Sequence, residues 1–265
     1  MQVKHTPRKR FGQNFLQDQN VITNIIRHIA PRNDDQFIEI GPGQGALTLP
    51  LLERVERLDV VEIDRDLVAW WKQQSISNLY LHENDALKTD FCALRANQKK
   101  AARIVGNLPY NISTPLLFHL LEFRDCIDDM HFMLQKEVVD RIIAAPGSKT
   151  YGRLSVMLQF FCRVERLLTV HPGSFYPPPK VDSAVIRLVP YKDTKFDVNP
   201  ATLSHVVNTA FSQRRKTLRN ALKTLVTEQE ISRLEIDPAC RAETLPLAAF
   251  VKLANCIDHA DTNAR

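Results

Sequence analysis

Between about residues 35 and 145 the chain alternates short apolar runs with amphipathic stretches, and few folds accept that alternation. Phe37–Ile40, Leu58–Ile63, Leu79–His82, Ile104–Gly106 and Met130–Leu134 read as short buried strands. The segments between them carry helix starts. Asp64 is placed to cap a helix bearing Leu67, Val68 and Trp71. Thr114-Pro115 sets a capping residue ahead of a proline at the first helical position. Strands alternating with helices predict a parallel sheet covered on both faces. Met157–Phe161 reads as helical, and Val164–Val170 with Ser183–Leu188 as an antiparallel pair at the sheet edge. After Pro190 the composition shifts. Asn199-Pro200 starts a helix, and Val207, Phe211, Leu218, Leu222 and Leu225 recur at helical spacing. Thr227 and Glu230 form a capping box, and Asp237-Pro238 and Pro246 mark two more starts. The expected organisation is an α/β domain over residues 1–191 and a small α-helical domain over residues 192–265.

Composition excludes several classes. No apolar run approaches the roughly 18–20 residues that span a membrane. The basic residues Lys4, Arg8, Lys9 and Arg10 precede no apolar segment, so a secretory signal is not expected. The five cysteines are widely spaced without a Cys-x-x-Cys pair, which predicts neither structural zinc nor a disulfide frame. A reducing cytoplasm fits that usage. A net charge of +5 permits an anionic partner without proving one.

Four segments carry chemistry. The strand Phe37–Ile40 runs into Gly41-Pro42-Gly43-Gln44-Gly45, where glycines let the backbone turn tightly and approach a ligand. This is not the Gly-x-Gly-x-x-Gly fingerprint, so no pyrophosphate is expected. Glu62 closes the next strand, where an acid can grip ribose hydroxyls. Asp85 follows the third apolar run and can accept from the amine of a nucleoside. Asn107-Leu108-Pro109-Tyr110 then follows an apolar run. The Asn107 side-chain carbonyl and the Leu108 backbone carbonyl can accept from the exocyclic amine of a flipped adenine, while Tyr110 stacks on its face. Asn107 is no base at neutral pH, so its part is to hold and polarise the amine. In this order the four segments predict a site for S-adenosylmethionine facing a site for an adenine.

Three further constellations are open to two readings each. Arg8-Lys9-Arg10 can touch phosphate, with Asn14 and Leu16 folding over the cofactor as a lid; the plainer alternative is a basic tail. Phe175 begins a loop stiffened by Pro177, Pro178 and Pro179. It can stack on the base opposite Tyr110, or it can be a core residue beside a proline connector. Arg214, Arg215, Lys216, Arg219 and Lys223 are basic, and the last three share one face of the expected helix. They form either a phosphate-contacting ridge or a solvated surface.

These segments together resemble the bacterial small-subunit (16S) rRNA adenine dimethyltransferases. Phe11–Leu16, the Glu39-Ile40-Gly41-Pro42-Gly43 loop, Asn107–Ser113, Phe132–Val138, Tyr151–Ser155, Pro177–Ser183 and Gln213–Thr217 all fit, and the resemblance runs from about residue 8 to residue 257. It implies a class I, Rossmann-like S-adenosylmethionine-dependent methyltransferase fold and dimethylation of two adjacent adenosines in the 3′-terminal hairpin loop of 16S rRNA. By position it sets cofactor contacts at Asn14, Leu16, Gly41, Gly43, Glu62, Asp85 and Asn107. The expected partner is the rRNA of the immature small ribosomal subunit, with no metal, and the expected state is a cytoplasmic monomer. Two rival readings are an Erm-type methyltransferase of large-subunit rRNA and a non-catalytic RNA-binding assembly factor. The basic helical extension speaks against the first, and the presence of Glu62, Asp85, Asn107 and Tyr110 against the second.

Overall fold

The computed structural model describes residues 13–263 apart from Gln98, Thr194 and Arg214. A short strand β1 (Phe15–Leu16) leads to α1 (Gln19–Ile29), β2 (Gln36–Ile40), α2 (Thr48–Leu52), β3 (Leu58–Glu62), α3 (Arg65–Gln73) and β4 (Leu79–Glu83). The chain then returns through β5 (Ala102–Asn107), α4 (Ser113–Glu122), β6 (Ile127–Gln135), α5 (Lys136–Ile142) and α6 (Arg153–Phe161). Next come β7 (Cys162–Val170), β8 (Phe175–Tyr176) and β9 (Ser183–Pro190). The helices α7 (Pro200–Ser212), α8 (Leu218–Ala221), α9 (Glu228–Arg233) and α10 (Leu247–Asn263) complete it.

Seven strands form one sheet in the order β4-β3-β2-β5-β6-β9-β7. β4 through β6 are parallel, and β9 runs antiparallel to β6. β2 has β3 on one side and β5 on the other, so the strand order reverses between β2 and β5. That reversal opens a crevice at the carboxyl ends of the strands. One face is covered by α1, whose Ile22, Ile25, Ile26 and Ile29 fall at helical spacing and meet Phe37, Val105, Met133 and Val185. Each such burial stabilises by roughly 1.5–3 kcal/mol. Asp18 starts this helix by accepting from the amides of Asn20 and Val21. On the same face, Asp129 receives Arg103 at 2.8 Å and Arg187 at 2.9 Å. His131 beside it is 2 % exposed, and both of its ring nitrogens lack a hydrogen-bond partner.

The chain divides into two compact units. The first runs up to Val139 and includes Val164–Pro190; the second combines Asp140–Arg163 with the chain from Tyr191 onward. α6, which sequence alone groups with the α/β domain, therefore belongs to the helical unit. There α7 packs on α6 and α10. Tyr151 makes an edge contact with Phe211 and donates its hydroxyl to the Leu245 carbonyl at 3.0 Å.

The strand expectations hold, with longer bounds except for β3, which ends at Glu62 and leaves Ile63 outside it; Asp64, Asn199 and the Thr227–Glu230 box cap their helices as expected. Four expectations are corrected. α4 begins at Ser113, so Thr114 lies inside its first turn. Asp237-Pro238 makes only a turn, in which Asp237 accepts from the Ala239 amide at 2.8 Å. The apolar spacing from Val207 to Leu225 does not form one helix, because the chain leaves α7 after Ser212 and α8 is four residues long. Cys92 and Cys126 are joined by a disulfide across 34 residues, although neither spacing nor motif announced it. No described helix is long and apolar enough to cross a membrane. No group of three or more candidate metal ligands occurs among the described residues.

Candidate active site

The carboxyl ends of β2, β3, β4 and β5 converge on a cavity of about 300 Å³. The turn after β2 forms its floor. Gly43 has φ 54°, a left-handed value, and a Cβ there would stand 3.1 Å from the Phe15 ring. The Trp71 indole donates to the Gly43 carbonyl at 3.1 Å and pins the turn. Gly106 lets β5 close on β2, since a Cβ there would stand 2.6 Å from the Ile40 carbonyl.

Glu62 is 6 % exposed at the end of β3. Its Oε1 accepts from the amides of Ile63 and Asp64, both at 2.8 Å. Burial raises its pKa, and those two amides offset part of the rise. The carboxylate is thus held in one orientation on the cavity wall, where it can accept from hydroxyl donors. Asp85 lines the same cavity and is oriented by the Leu87 amide at 3.0 Å.

Glu39 is the residue that sequence reasoning passed over. It is 2 % exposed, lines the cavity, and its Oε2 has no hydrogen-bond partner. Burial pushes its carboxyl up to about 8; the nearby Thr48 hydroxyl draws it down in part, and the charge of Glu62 adds to the rise. The available signal was an acid inside the apolar run Phe37-Ile38-Glu39-Ile40, at a position shared with the buried Phe37.

Asn107 closes β5, and its Nδ2 donates to the Asn14 backbone carbonyl at 3.0 Å. With the donor end so engaged, Oδ1 is the acceptor end presented to a ligand. The segment that supplies Asn14 lies across the cavity as a strap. Gln13 donates to Asp64 at 2.9 Å, β1 pairs with β8, and the Gln17 amide reaches the Ser174 carbonyl at 2.9 Å. Asn14, Leu16, Gly41, Gly43, Glu62, Asp85, Asn107, Leu108 and Tyr110 all line this one cavity. Tyr110 is half-buried, and its hydroxyl meets Ser183 Oγ at 2.9 Å. Burial raises its pKa, with Ser183 opposing, so the phenol stays neutral.

Phe175 is not part of the cavity lining. It is 5 % exposed and belongs with Leu16, Ile22 and Val170 to the hydrophobic core. The stacking expected of Phe175 is therefore corrected to a core role. Among the basic candidates, Arg8, Lys9, Arg10 and Arg214 lie outside the described residues. Arg215, Lys216 and Lys223 are exposed. Arg219 is engaged with Glu228 at 2.7 Å, an acid that arrives from α9. Lys216 precedes α8 and Lys223 follows it, so no continuous helical ridge joins these charges.

The family model for ribosomal RNA adenine dimethylase matches residues 4–259. The chain is 55% identical over 255 residues to the ribosomal RNA small subunit methyltransferase A of Pseudomonas aeruginosa, covering 95% of both chains. It is 54% identical over 258 residues to the protein of that name from Haemophilus ducreyi, covering 95% of this chain and 89% of the other. Among solved structures it is similar to a dimethyladenosine transferase from Plasmodium falciparum, with a TM-score of 0.75 at 28% identity over 90% of this chain and 95% of that one. The 23S rRNA methyltransferase ErmE shares the fold, with a TM-score of 0.70 at 23% identity over 92% and 100% of the two chains.

Proposed function

The chain belongs to the ribosomal RNA adenine dimethylase family, and from that premise we propose that it dimethylates the N6 amines of two adjacent adenosines in the 3′-terminal hairpin loop of 16S rRNA. It is an S-adenosylmethionine-dependent rRNA methyltransferase with a Rossmann-like fold and a C-terminal helical unit. It acts, in this reading, as a cytoplasmic monomer on the immature small subunit.

The observation that carries the proposal is the Asn107 amide, held by the Asn14 carbonyl so that Oδ1 faces a cavity shared with Glu62 and Asp85. The donor set fits S-adenosylmethionine. Glu62 would take the ribose hydroxyls and Asp85 the adenine amine. The Glu39 carboxyl, pushed up to about 8 by burial and with Oε2 orphaned, would be drawn into its ionised form by a cationic group bound beside it. The cofactor supplies an electrophilic methyl group, and the remaining requirements fall on the protein. Asn107 Oδ1 and the Leu108 carbonyl accept the two amine hydrogens and direct the nitrogen lone pair. Tyr110 covers one face of the base. The strap from Gln13 to Leu16 keeps water from the cavity. No general base is required, because the alkylated nitrogen is cationic and releases its proton to water. After the first transfer one amine hydrogen remains, and one of the two acceptors still engages it.

The test is labelled S-adenosylmethionine offered with unmethylated small subunits, large subunits, naked rRNA and DNA, followed by mapping of methylated bases. Two adjacent dimethyladenosines near the 3′ end of 16S rRNA are expected, from small subunits alone. Label confined to large subunits would replace this reading with the Erm-type activity.

A further inference from the structure

The ribbon of β1 and β8 turns its two aromatic positions to opposite sides. Phe175 pairs with Leu16, and both enter the core. Tyr176 pairs with Phe15. Directly paired residues of an antiparallel ladder project to the same face with their Cβ atoms close together. Phe15 lines the cavity, and Tyr176, paired with it, has 60% of its surface exposed. Five residues later in the same loop Val181 is 46% exposed, and Lys180 between them is exposed as well. The loop is firmly seated. The Asp182 carbonyl accepts from the Lys136 amide at 2.9 Å, and Ser183 holds the Tyr110 hydroxyl at 2.9 Å. An exposed ring, an aliphatic neighbour and a cation on a proline-stiffened support, linked to the cavity through Phe15 and the Ser183–Tyr110 bond, match a nucleobase and its phosphate.

Resting on the dimethylation argued above, we propose that Tyr176 is the stacking platform for the adenosine adjacent to the one held in the cavity. Drawing one adenine out of a stacked strand strips its neighbour of a partner. The exposed ring replaces that partner. Because the two target adenosines are adjacent, the one not in the cavity always lies beside it, and one platform serves both. Val181 extends the apolar contact, and Lys180 supplies a cation to the phosphate backbone.

The test uses the full chain with unmethylated small subunits. Tyr176→Ala is expected to raise KM for the subunit about tenfold, with cofactor affinity and melting temperature unchanged. Tyr176→Phe and Tyr176→Trp should stay near wild type, since both keep a ring. Equal KM for wild type and Tyr176→Ala overturns the proposal. Subunits reconstituted with an abasic nucleotide in place of one target adenosine identify what the ring meets. On these, wild type and Tyr176→Ala should methylate the remaining adenosine alike. A deficit of Tyr176→Ala that persists there means the ring contacts a ribosomal protein or another part of the rRNA, and the proposal fails. If the wild-type enzyme methylated neither adenosine, the dimethylation reading itself would be lost. 2-Aminopurine at the flanking position would still decide the platform, by quenching that is present in wild type and lost in Tyr176→Ala.

Discussion

Glu62→Ala removes the carboxylate proposed to accept two ribose hydroxyls, each charge-assisted bond being worth roughly 1.5–3 kcal/mol. Calorimetric titration should show S-adenosylmethionine bound at least tenfold more weakly by a protein that still folds; unchanged affinity would refute the assignment. Asn107→Ala should abolish methyl transfer and leave binding to the small subunit largely intact. Tyr110→Phe keeps the ring but loses the bond to Ser183, a net effect of about 1 kcal/mol. A several-fold fall in kcat/KM is expected, shared by Ser183→Ala and not doubled when the two are combined. Full additivity would mean that Ser183 does not work through Tyr110. Most of the cavity was legible in the sequence, because Gly43, Glu62, Asp85 and Asn107 sit at strand ends, where chain order alone brings them together. Phe175 was misread for a physical reason. Neighbouring strand residues point to opposite faces, and the pairing that decides the face involves Leu16, some 160 residues away. Ser183 was hidden likewise, since nothing in the local sequence reveals that it meets Tyr110.

At the scale of elements, β2 and β5 approach so closely that only glycine fits at position 106. Gly106→Ala sets a methyl against a backbone carbonyl, which cannot move as a side chain can. Overpacking of this kind costs typically about 1–3 kcal/mol. Chemical denaturation should show that loss together with weaker cofactor binding, because Asn107 lies one residue away; wild-type stability would contradict the packing. The disulfide makes a second claim on the same unit. Alkylation of unfolded, unreduced protein should label Cys162, Cys240 and Cys256 and spare Cys92 and Cys126. Labelling of all five would refute the pairing. Strands and caps were readable because apolar period and capping chemistry are local. The supposed basic helix was not, because the Leu218 and Leu222 spacing survives a break: both side chains reach the core from the short α8 and its end.

Across the whole molecule, two buried groups tilt stability in opposite directions. Glu39 titrates near 8 when folded against an ordinary 4.5. Its folded state holds the proton more tightly, so this contribution is complete below 4.5 and fades as pH rises through 8. His131 is depressed by burial from 6.5 to about 4. Its contribution is complete above 6.5 and fades as pH falls through 4. Between pH 6.5 and 8 only the Glu39 slope remains. The melting temperature of cofactor-free protein should fall across that window, and Glu39→Gln should flatten the fall. An unchanged slope would show that Glu39 is already ionised. In the helical unit, neutralising Arg215, Lys216 and Lys223 together should weaken binding to the small subunit. It should also flatten the salt dependence by up to about one unit of slope per phosphate contact. Arg219→Gln should contribute less, since its guanidinium already spends one interaction on Glu228. Equal salt slopes in mutant and wild type would make this surface a solvated one.

The bond from Asn107 to the Asn14 carbonyl makes the enzyme conditional. An amide freed from that carbonyl can turn over and offer NH2 where oxygen is needed, so it would repel the amine it should hold. In the role proposed for Asn107, adenine capture therefore requires two things at once: a base in place and the strap closed over the cavity. Because the controlling atom is a main-chain oxygen, no side-chain replacement at position 14 removes it. Only a change in the path of the strap can uncouple the two conditions, and a scan of point substitutions would pass over the coupling.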